Sequence, residues 1–184
     1  SELLKCDCGN IITDYEEICM DCEGMSWEER NAFEEVEELK WKFNDGGREL
    51  AGFKGKTGDC VTRAIAIASG KSYKEIYEVM ANGNLNQRKS KYHKKGEKTA
   101  RTGISVKRKW FKDYMSSLGF KWTPTMFIGS GCKVHLKADE LPSGNLVCSV
   151  SKHYVAVVDG VIQDTYDCSR DGTRCVYGYW RKEE

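Results

Sequence analysis

The chain has 184 residues, of which 40% are hydrophobic and 31% are charged, and its formal net charge is +1. This balance is ordinary for a globular domain and predicts one core domain with, at most, a small extra module. No apolar stretch approaches the ~20 residues that span a bilayer, which argues against a membrane helix. The N-terminus lacks the apolar region of a secretory signal, so no secretory signal is expected. The nine cysteines are therefore expected to be metal ligands, a nucleophile and free core thiols in a reducing cytoplasm, or in the host cytoplasm if a phage encodes the chain.

Two cysteine pairs open the chain, Cys6 and Cys8 followed by Cys19 and Cys22. Four soft thiolates suit tetrahedral Zn²⁺, and a closed site of this kind is structural. A segment of this length cannot bury a core of its own, so a bound metal would be its main source of stability. We interpret residues 1–25 as a Cys₄ module that resembles a zinc ribbon or knuckle. Few basic residues surround it, which argues against nucleic-acid binding by this module.

Residues 26–47 are predicted to form an acidic amphipathic helix and a linker. Ser26 and Glu29 fit a capping box, apolar residues recur at helical spacing as far as Phe43, and glutamates cover the other face. The helix is predicted over 26–43. The acidic face is either a solvated surface or a docking surface, and the docked group would be a basic partner or the basic segment of this same chain. The Asn-Asp-Gly-Gly sequence that follows predicts a boundary before the main domain, which spans residues 48–184.

The stretch from Gly58 to Gly70 reads as a loop that feeds a buried helix. Asp59 is predicted to cap the helix through its carboxylate, and Gly70 to end it. Val61, Ala64, Ile65 and Ala68 recur at i, i+3, i+4 and i+7 on one buried face. Cys60 therefore falls on the first turn, where the positive end of the helix dipole favours a thiolate. The alternative is that Cys60 is a small apolar residue at the start of a core helix.

A second helix is predicted from Ser72 to residue 81, with Asn82-Gly83 as its end. Residues 84–109 are strongly basic, and 84–103 are predicted to be an exposed loop near the site. That charge is compatible with phosphate, nucleic acid or an acidic protein substrate, although a plain solvated loop fits as well as all of these together. A third helix is predicted over 105–118, followed by strand-like segments.

The sequence from His153 to Tyr166 has the pattern of a β-hairpin. Two β-rich runs flank Asp159-Gly160, which is a typical two-residue type I′ turn. Pairing the strands about this turn makes His153 and Asp164 diagonal neighbours on one face. A cysteine at a helix start, with a histidine and an acid on adjacent strands, is the nucleophile, base and orienting group of a thiol hydrolase.

These residues carry a resemblance to a known superfamily. Asp59-Cys60 opening an alanine-rich helix, with the later His-Tyr-Val-Ala-Val-Val…Asp hairpin, resembles the papain-like cysteine peptidases. It is most similar to their small bacterial and phage members and to the bacteriocin-processing double-glycine peptidases. The resemblance covers roughly residues 54–70 and 145–168. It implies that Cys60 is the nucleophile, His153 the general base and acid, and Asp164 the orienting residue. Lys54 stands where the family usually has a glutamine that helps to form the oxyanion hole, so Lys54 and Thr57 are the candidates for that role.

The resulting prediction is an α+β, papain-like fold, with N-terminal helices packed on an antiparallel sheet and a small zinc module in front. We expect a cysteine-dependent peptidase or isopeptidase with a protein or peptide substrate. Acyl transfer or deamidation on the same triad is one alternative. The other is a non-enzymatic adaptor or inhibitor that binds through the basic loop 84–109 and the acidic helix 26–43. A second thiol and imidazole, Cys132 and His135, have no helix start to activate the cysteine.

Overall fold

The computed structural model describes residues 40–54, 58–87 and 103–184. Among these residues there are three helices and six strands. The helices are α1 (Cys60–Ser69), α2 (Tyr73–Asn86) and α3 (Lys109–Ser117). The strands are β1 (Lys40–Phe43), β2 (Phe120–Pro124), β3 (Asn145–Val150), β4 (His153–Val158), β5 (Val161–Asp164) and β6 (Val176–Lys182). The fold is therefore α+β, as the sequence predicts. The chain divides into the units Ser1–Glu37 and Glu38–Glu184, and every described residue belongs to the second.

The six strands form one sheet in the order β1-β5-β4-β3-β6-β2. The four pairings from β5 to β2 are antiparallel, but β1 runs parallel to β5. The sheet is thus mixed, and the prediction of a purely antiparallel sheet is wrong at this edge. β2 lies at the other edge, which suits Pro124 because proline cannot donate to a strand ladder.

The predicted helix over 26–43 is wrong in its last four residues, which form β1. Lys40, Trp41, Lys42 and Phe43 alternate in polarity as well as fitting a helical stripe, so the sequence signal is ambiguous there. Pairing with the open edge of β5 decides the conformation. After β1, the backbone N–H of Asn44 donates to the carbonyl of Asp164 at 3.0 Å. The segment after β1 therefore lies beside one of the predicted site residues.

Both faces of the central strands β3 and β4 are mostly buried. Helix α1 packs on β4, and its apolar stripe joins Val147, Tyr154 and Ala156 in one core cluster. The opposite face carries a second cluster that includes Cys148, Val155, Val157 and Ile162, and the segment around Leu136 and Leu141 covers it. Alternate residues of β3 and β4 thus face different cores, as the period of a strand requires. Within the residues that the structure describes, no helix is long and apolar enough to cross a membrane.

Two helix ends differ from the predicted positions. α2 begins after Ser72, whose hydroxyl accepts from the N–H of Glu75 as predicted, but it continues past Gly83 to Asn86. Gly83 is not a terminator; a Cβ there would lie 2.4 Å from the ring of Trp110, so the glycine allows close packing of α3. α3 begins at Lys109, four residues later than predicted, because Ser105–Arg108 form a turn.

Candidate functional site

Cys60 is the first residue of α1 and is half-buried. The helix ends at Gly70, whose φ of 73° is the left-handed conformation that glycine adopts freely. The predicted stripe of Val61, Ala64, Ile65 and Ala68 is buried, as the periodicity indicates. The first backbone N–H groups of a helix have no acceptor within the helix, and they create a positive end. The core packing of α1 therefore fixes the thiol at a position that favours its ionised form.

The hairpin of β4 and β5 brings His153 and Asp164 together. The register pairs Val158 with Val161 and Val157 with Ile162, as predicted, and the turn residues Asp159 and Gly160 both have positive φ angles. The Nε2 atom of His153 lies 2.6 Å from Oδ2 of Asp164. Their side chains are only 9% and 4% exposed, so water competes little with this contact. The structure confirms the predicted proximity of these two residues.

The thiol of Cys60 lies close enough to the imidazole of His153 for the two groups to influence each other's ionisation. Burial opposes ionisation of the thiol, but the hydrogen bond from His153 and its positive charge outweigh the burial. A backbone hydrogen bond from Tyr154 and the charge of Arg63 act in the same direction. Together they hold the pKa of Cys60 below its ordinary value. The site therefore favours a thiolate paired with an imidazolium.

The pKa values of the other two residues shift in the matching directions. Burial lowers the pKa of His153, but its hydrogen bonds with Asp164, Cys168 and Cys60 raise it well above the ordinary value. Burial raises the pKa of Asp164, but the hydrogen bond and charge of His153 lower it overall. The backbone N–H of Thr165 and the charge of Arg63 also lower the pKa of Asp164. The three groups thus stabilise one charge distribution, with a thiolate, an imidazolium and a carboxylate.

The structure corrects the predicted role of Asp59. Its carboxylate makes no cap bond to the helix N–H groups. Instead, Asp59 is fully buried and accepts from the guanidinium of Arg63 and, at 2.6 Å, from the hydroxyl of Tyr73. Arg63 also reaches Asp164, with Nη2 at 3.3 Å from Oδ1. A buried ionic network thus lies behind the three residues.

Arg63 is a site residue that the sequence patterns above do not include, although the sequence carries a signal for it. Asp59 and Arg63 are four residues apart on one helix, the spacing at which opposite charges pair. An arginine between Val61 and Ala64 is also unusual on a helix that is otherwise apolar. The contact from Arg63 to Asp164 could not be found in this way, because it joins residues that are 101 positions apart.

Cys168 is a further thiol beside the site. It is buried and free, and its sulfur lies within 4.8 Å of a ring nitrogen of His153. One ligand atom from each of His153, Asp164 and Cys168 lies within 4.8 Å of the others, and within the described residues this is the one such group. His153 and Asp164 are already bonded to each other at 2.6 Å, so a metal ion would have to separate them. The cluster is part of the same site and does not define a separate metal centre.

Several predicted residues cannot be compared with the structure. Cys6, Cys8, Cys19 and Cys22, and with them the zinc module, lie outside the described residues, as do Thr57 and most of the basic loop. Lys54 is described and is exposed. Residues 84–86 of the predicted loop belong to α2.

A second thiol, imidazole and carboxylate occur together at Cys132, His135 and Glu140. The Nδ1 atom of His135 lies 3.0 Å from Oε2 of Glu140, with both side chains about a third exposed. Cys132 is bonded to Cys175 in a disulfide. The expectation that these two cysteines are free thiols is therefore wrong. Cys168 is free and does not pair with Cys175.

A surface depression of about 1020 Å³ lies away from these residues. Lys121, Asn145, Asp159, Arg181 and Lys182 are among the residues that line it. Asp159 follows the last residue of β4, whereas His153 is the first. The depression is thus at the opposite end of the hairpin from the candidate site. Its mixed charges do not indicate a particular ligand.

Comparisons with protein-family models, with curated proteins and with solved structures give no match to this chain. Interpretation of the site therefore depends on its own geometry and chemistry.

Proposed function

We propose that this chain is a papain-like, cysteine-dependent hydrolase that cleaves peptide or isopeptide bonds. Cys60 is the nucleophile, His153 the general base and acid, and Asp164 the orienting carboxylate. One observation carries this proposal: a thiol on the first turn of a buried helix lies close to an imidazole that is itself bonded to a buried carboxylate at 2.6 Å. A nucleophile, a base and a third group that orients the base are what covalent acyl chemistry requires.

The reaction would begin with attack of the Cys60 thiolate on an acyl carbonyl carbon. Because Nε2 of His153 is engaged with Asp164, Nδ1 is the nitrogen that delivers a proton to the departing amine. The acyl group then remains on the sulfur as a thioester. His153, now neutral, removes a proton from water, the resulting hydroxide attacks the thioester, and the thiolate returns with the carboxylic acid as product.

The tetrahedral intermediates need hydrogen-bond donors for a negatively charged oxygen. The backbone N–H of Cys60 is the first donor we propose, since it lies at the open N-terminus of α1. Lys54 or Thr57 is the proposed second donor. The assignment predicts that Lys54→Ala slows acylation without changing the rate at which iodoacetamide alkylates Cys60, because alkylation forms no oxyanion.

The same three residues support acyl transfer and side-chain deamidation. The products distinguish these reactions. A peptidase generates new chain termini, a deamidase releases ammonia from an intact chain, and a transferase joins the acyl group to an added amine. Peptide mixtures analysed by mass spectrometry, together with an ammonia assay, identify which product forms.

The proposal is tested with an activated ester, p-nitrophenyl acetate. A nucleophilic Cys60 takes up the acetyl group and releases one nitrophenolate per chain in a fast initial phase. Cys60→Ala should abolish this phase, lowering the initial rate by about a thousand-fold or more. Cys148→Ala is the matched control, because that thiol is fully buried on the opposite face of the sheet and burial raises its pKa. An unchanged initial phase in Cys60→Ala contradicts the proposal and favours a binding protein.

The four N-terminal cysteines are proposed to hold a structural Zn²⁺. Four thiolates are a donor set that zinc prefers, and a closed tetrahedral site leaves no position for a substrate. The purified full chain should then contain one zinc per molecule by elemental analysis, and Cys19→Ser should lose it. Retention of Cys60 acylation in that variant would assign the metal to the N-terminal unit alone. Zinc retained by Cys19→Ser would contradict the assignment of this ligand.

A further inference from the structure

Arg63 lies one helical turn after the nucleophile and contacts the acids of both halves of the site. We propose that Arg63 is a positioning residue, whose guanidinium holds the Asp164 carboxylate in a fixed relation to the helix that carries Cys60. The inference deepens the proposed function and rests on it. It assigns a role to a side chain that touches neither the substrate nor the sulfur.

The geometry of Arg63 is that of a two-ended clamp. One end of the guanidinium, Nη1, donates to Oδ1 of Asp59, and the other, Nη2, lies 3.3 Å from Oδ1 of Asp164. Arg63 is 7% exposed and the two acids are 0% and 3% exposed. Asp59 immediately precedes the nucleophile, and Asp164 ends β5. One side chain thus joins the start of α1 to the strand that orients His153.

Asp59 is itself anchored from other elements. The hydroxyl of Tyr73, at the start of α2, donates to its Oδ2 at 2.6 Å. Arg48, in the segment after β1, lies with its Nε at 3.5 Å from the same oxygen. Asp59 is therefore a fixed point for Arg63, which explains why its carboxylate is not used to cap the helix.

The contacts of Asp164 divide cleanly between its two oxygens. Oδ1 accepts from the N–H of Thr165 at 2.7 Å and faces Arg63, while Oδ2 faces His153 at 2.6 Å. The bonds at Oδ1 therefore set the rotation of the carboxylate, and that rotation aims Oδ2 at the imidazole. Without Arg63, Thr165 alone would restrain the carboxylate, and the imidazole that it orients would be less well fixed relative to Cys60.

Burial of this network has an energetic consequence. Buried ion pairs recover little more than the cost of desolvating their charges, and apolar side chains often serve stability equally well. Positioning is a role that such apolar replacements would not fulfil. Arginine is suited to it because its planar fork reaches two carboxylates at once, whereas the single ammonium of lysine reaches one.

Several ionisable groups belong to the site or to the ionic network behind it, and each of them can influence a pH profile of Cys60. They come from α1, the segment after β1, β4, β5 and the chain that follows β5. They are Arg48, Asp59, Arg63, His153, Tyr154, Asp164 and Cys168.

The test measures alkylation of Cys60 by iodoacetamide across pH in Arg63→Lys and Arg63→Met. If Arg63 positions the site, both variants should react more slowly than the wild type at pH 6. We expect the alkylation rate to fall about ten-fold when one charge-assisted contact is lost. The midpoint of the pH profile should rise more in Arg63→Met, which loses the charge, than in Arg63→Lys, which keeps it. Met115→Ala is the control for a general loss of stability, because Met115 is fully buried in α3 and carries no charge. Its midpoint should be unchanged.

A double-mutant cycle separates this inference from the proposed function. Urea unfolding of Arg63→Met, Asp164→Asn and the double variant should give non-additive effects, because the two residues interact directly. Additive effects overturn the clamp, as does a wild-type pH profile in both Arg63 variants. If Cys60 of the wild type reacts no faster than an ordinary thiol, the proposed function fails, and the cycle still decides whether Arg63 holds Asp164.

Discussion

In the part of the chain that the structure describes, a cysteine, a histidine and an acid are neighbours at two places, and the two places differ in burial and in backbone position. At the first, Cys60 is a free thiol on a helix start, and the side chains of His153 and Asp164 are 9% and 4% exposed. At the second, Cys132 is in a disulfide, and His135 and Glu140 are 33% and 30% exposed. The presence of a cysteine, a histidine and an acid therefore does not by itself define a site. Burial of the side chains and their placement on the backbone distinguish the two groups.

The physical reason for the difference is desolvation. In the first group, water is excluded, so each charge acts strongly on the other two and shifts their protonation. In the second group, water and counter-ions screen the same kind of contact. His135 and Glu140 also do not lie at a helix terminus, so no helix dipole acts on their charges. We expect chemistry at the first group and a structural role at the second.

Paired histidine substitutions test the comparison with the largest effect. His153→Gln should slow acylation by p-nitrophenyl acetate by about 10²- to 10⁴-fold, the usual contribution of a general acid and base. His135→Gln should leave the rate unchanged. The measurement is the initial release of nitrophenolate, with far-ultraviolet circular dichroism to check that both variants fold. Equal losses in the two variants would remove the distinction between the sites.

Paired acid substitutions should give a smaller effect in the same direction. Asp164→Asn replaces the charged partner of His153 and weakens a charge-assisted bond worth roughly 1.5–3 kcal/mol, which corresponds to about ten- to a hundred-fold in rate. Glu140→Gln, at an exposed pair, should have no effect on acylation. The acylation rate at constant pH measures both, and a larger loss in Glu140→Gln than in Asp164→Asn would reverse the assignment.

The success and failure of sequence reasoning follow the range of the interactions. The helix of Cys60, the type I′ turn and the contact between His153 and Asp164 are set by local periodicity and by a two-residue turn, so the sequence predicts them. The strand β1 and the contact from Arg63 to Asp164 join distant segments, and no local pattern encodes them. The buried use of Asp59 was missed because a cap was the simpler local explanation.

The pH dependence of stability sharpens the comparison further. The pKa of Asp164 is lowered in the folded state, so its ionised form stabilises the fold fully above the unfolded value of about 3.9 and loses this effect as the pH falls through the folded value. Urea unfolding of the wild type and Asp164→Asn should therefore differ most above pH 5 and converge in acid. The wild type and Glu140→Gln should differ little at any pH, because solvent screens that carboxylate. A gap for Asp164→Asn that widens in acid would contradict the sign of the shift.

Removal of the disulfide should have the smallest effect on the site. Cys132→Ser with Cys175→Ser opens a bond between residues that are 43 positions apart, and such bonds typically contribute about 2–4 kcal/mol to stability. The melting temperature should fall, while the alkylation rate of Cys60 should stay the same because the three site residues lie on other elements. Thermal unfolding and mass spectrometry of alkylated peptides measure the two outcomes. A parallel loss of Cys60 reactivity would show that the two regions are coupled.

The central claim is that His153 holds Cys60 as a thiolate. The most direct measurement is the pH dependence of alkylation at Cys60, followed by peptide mass spectrometry in the wild type and in His153→Ala. The account predicts that Cys60 reacts much faster than Cys148 and Cys168 at pH 6 and that this advantage disappears without His153. If Cys60 reacts only as the pH approaches about 8.5, the value for a free thiol, or keeps its advantage in His153→Ala, then no thiolate–imidazolium pair exists and the account is wrong.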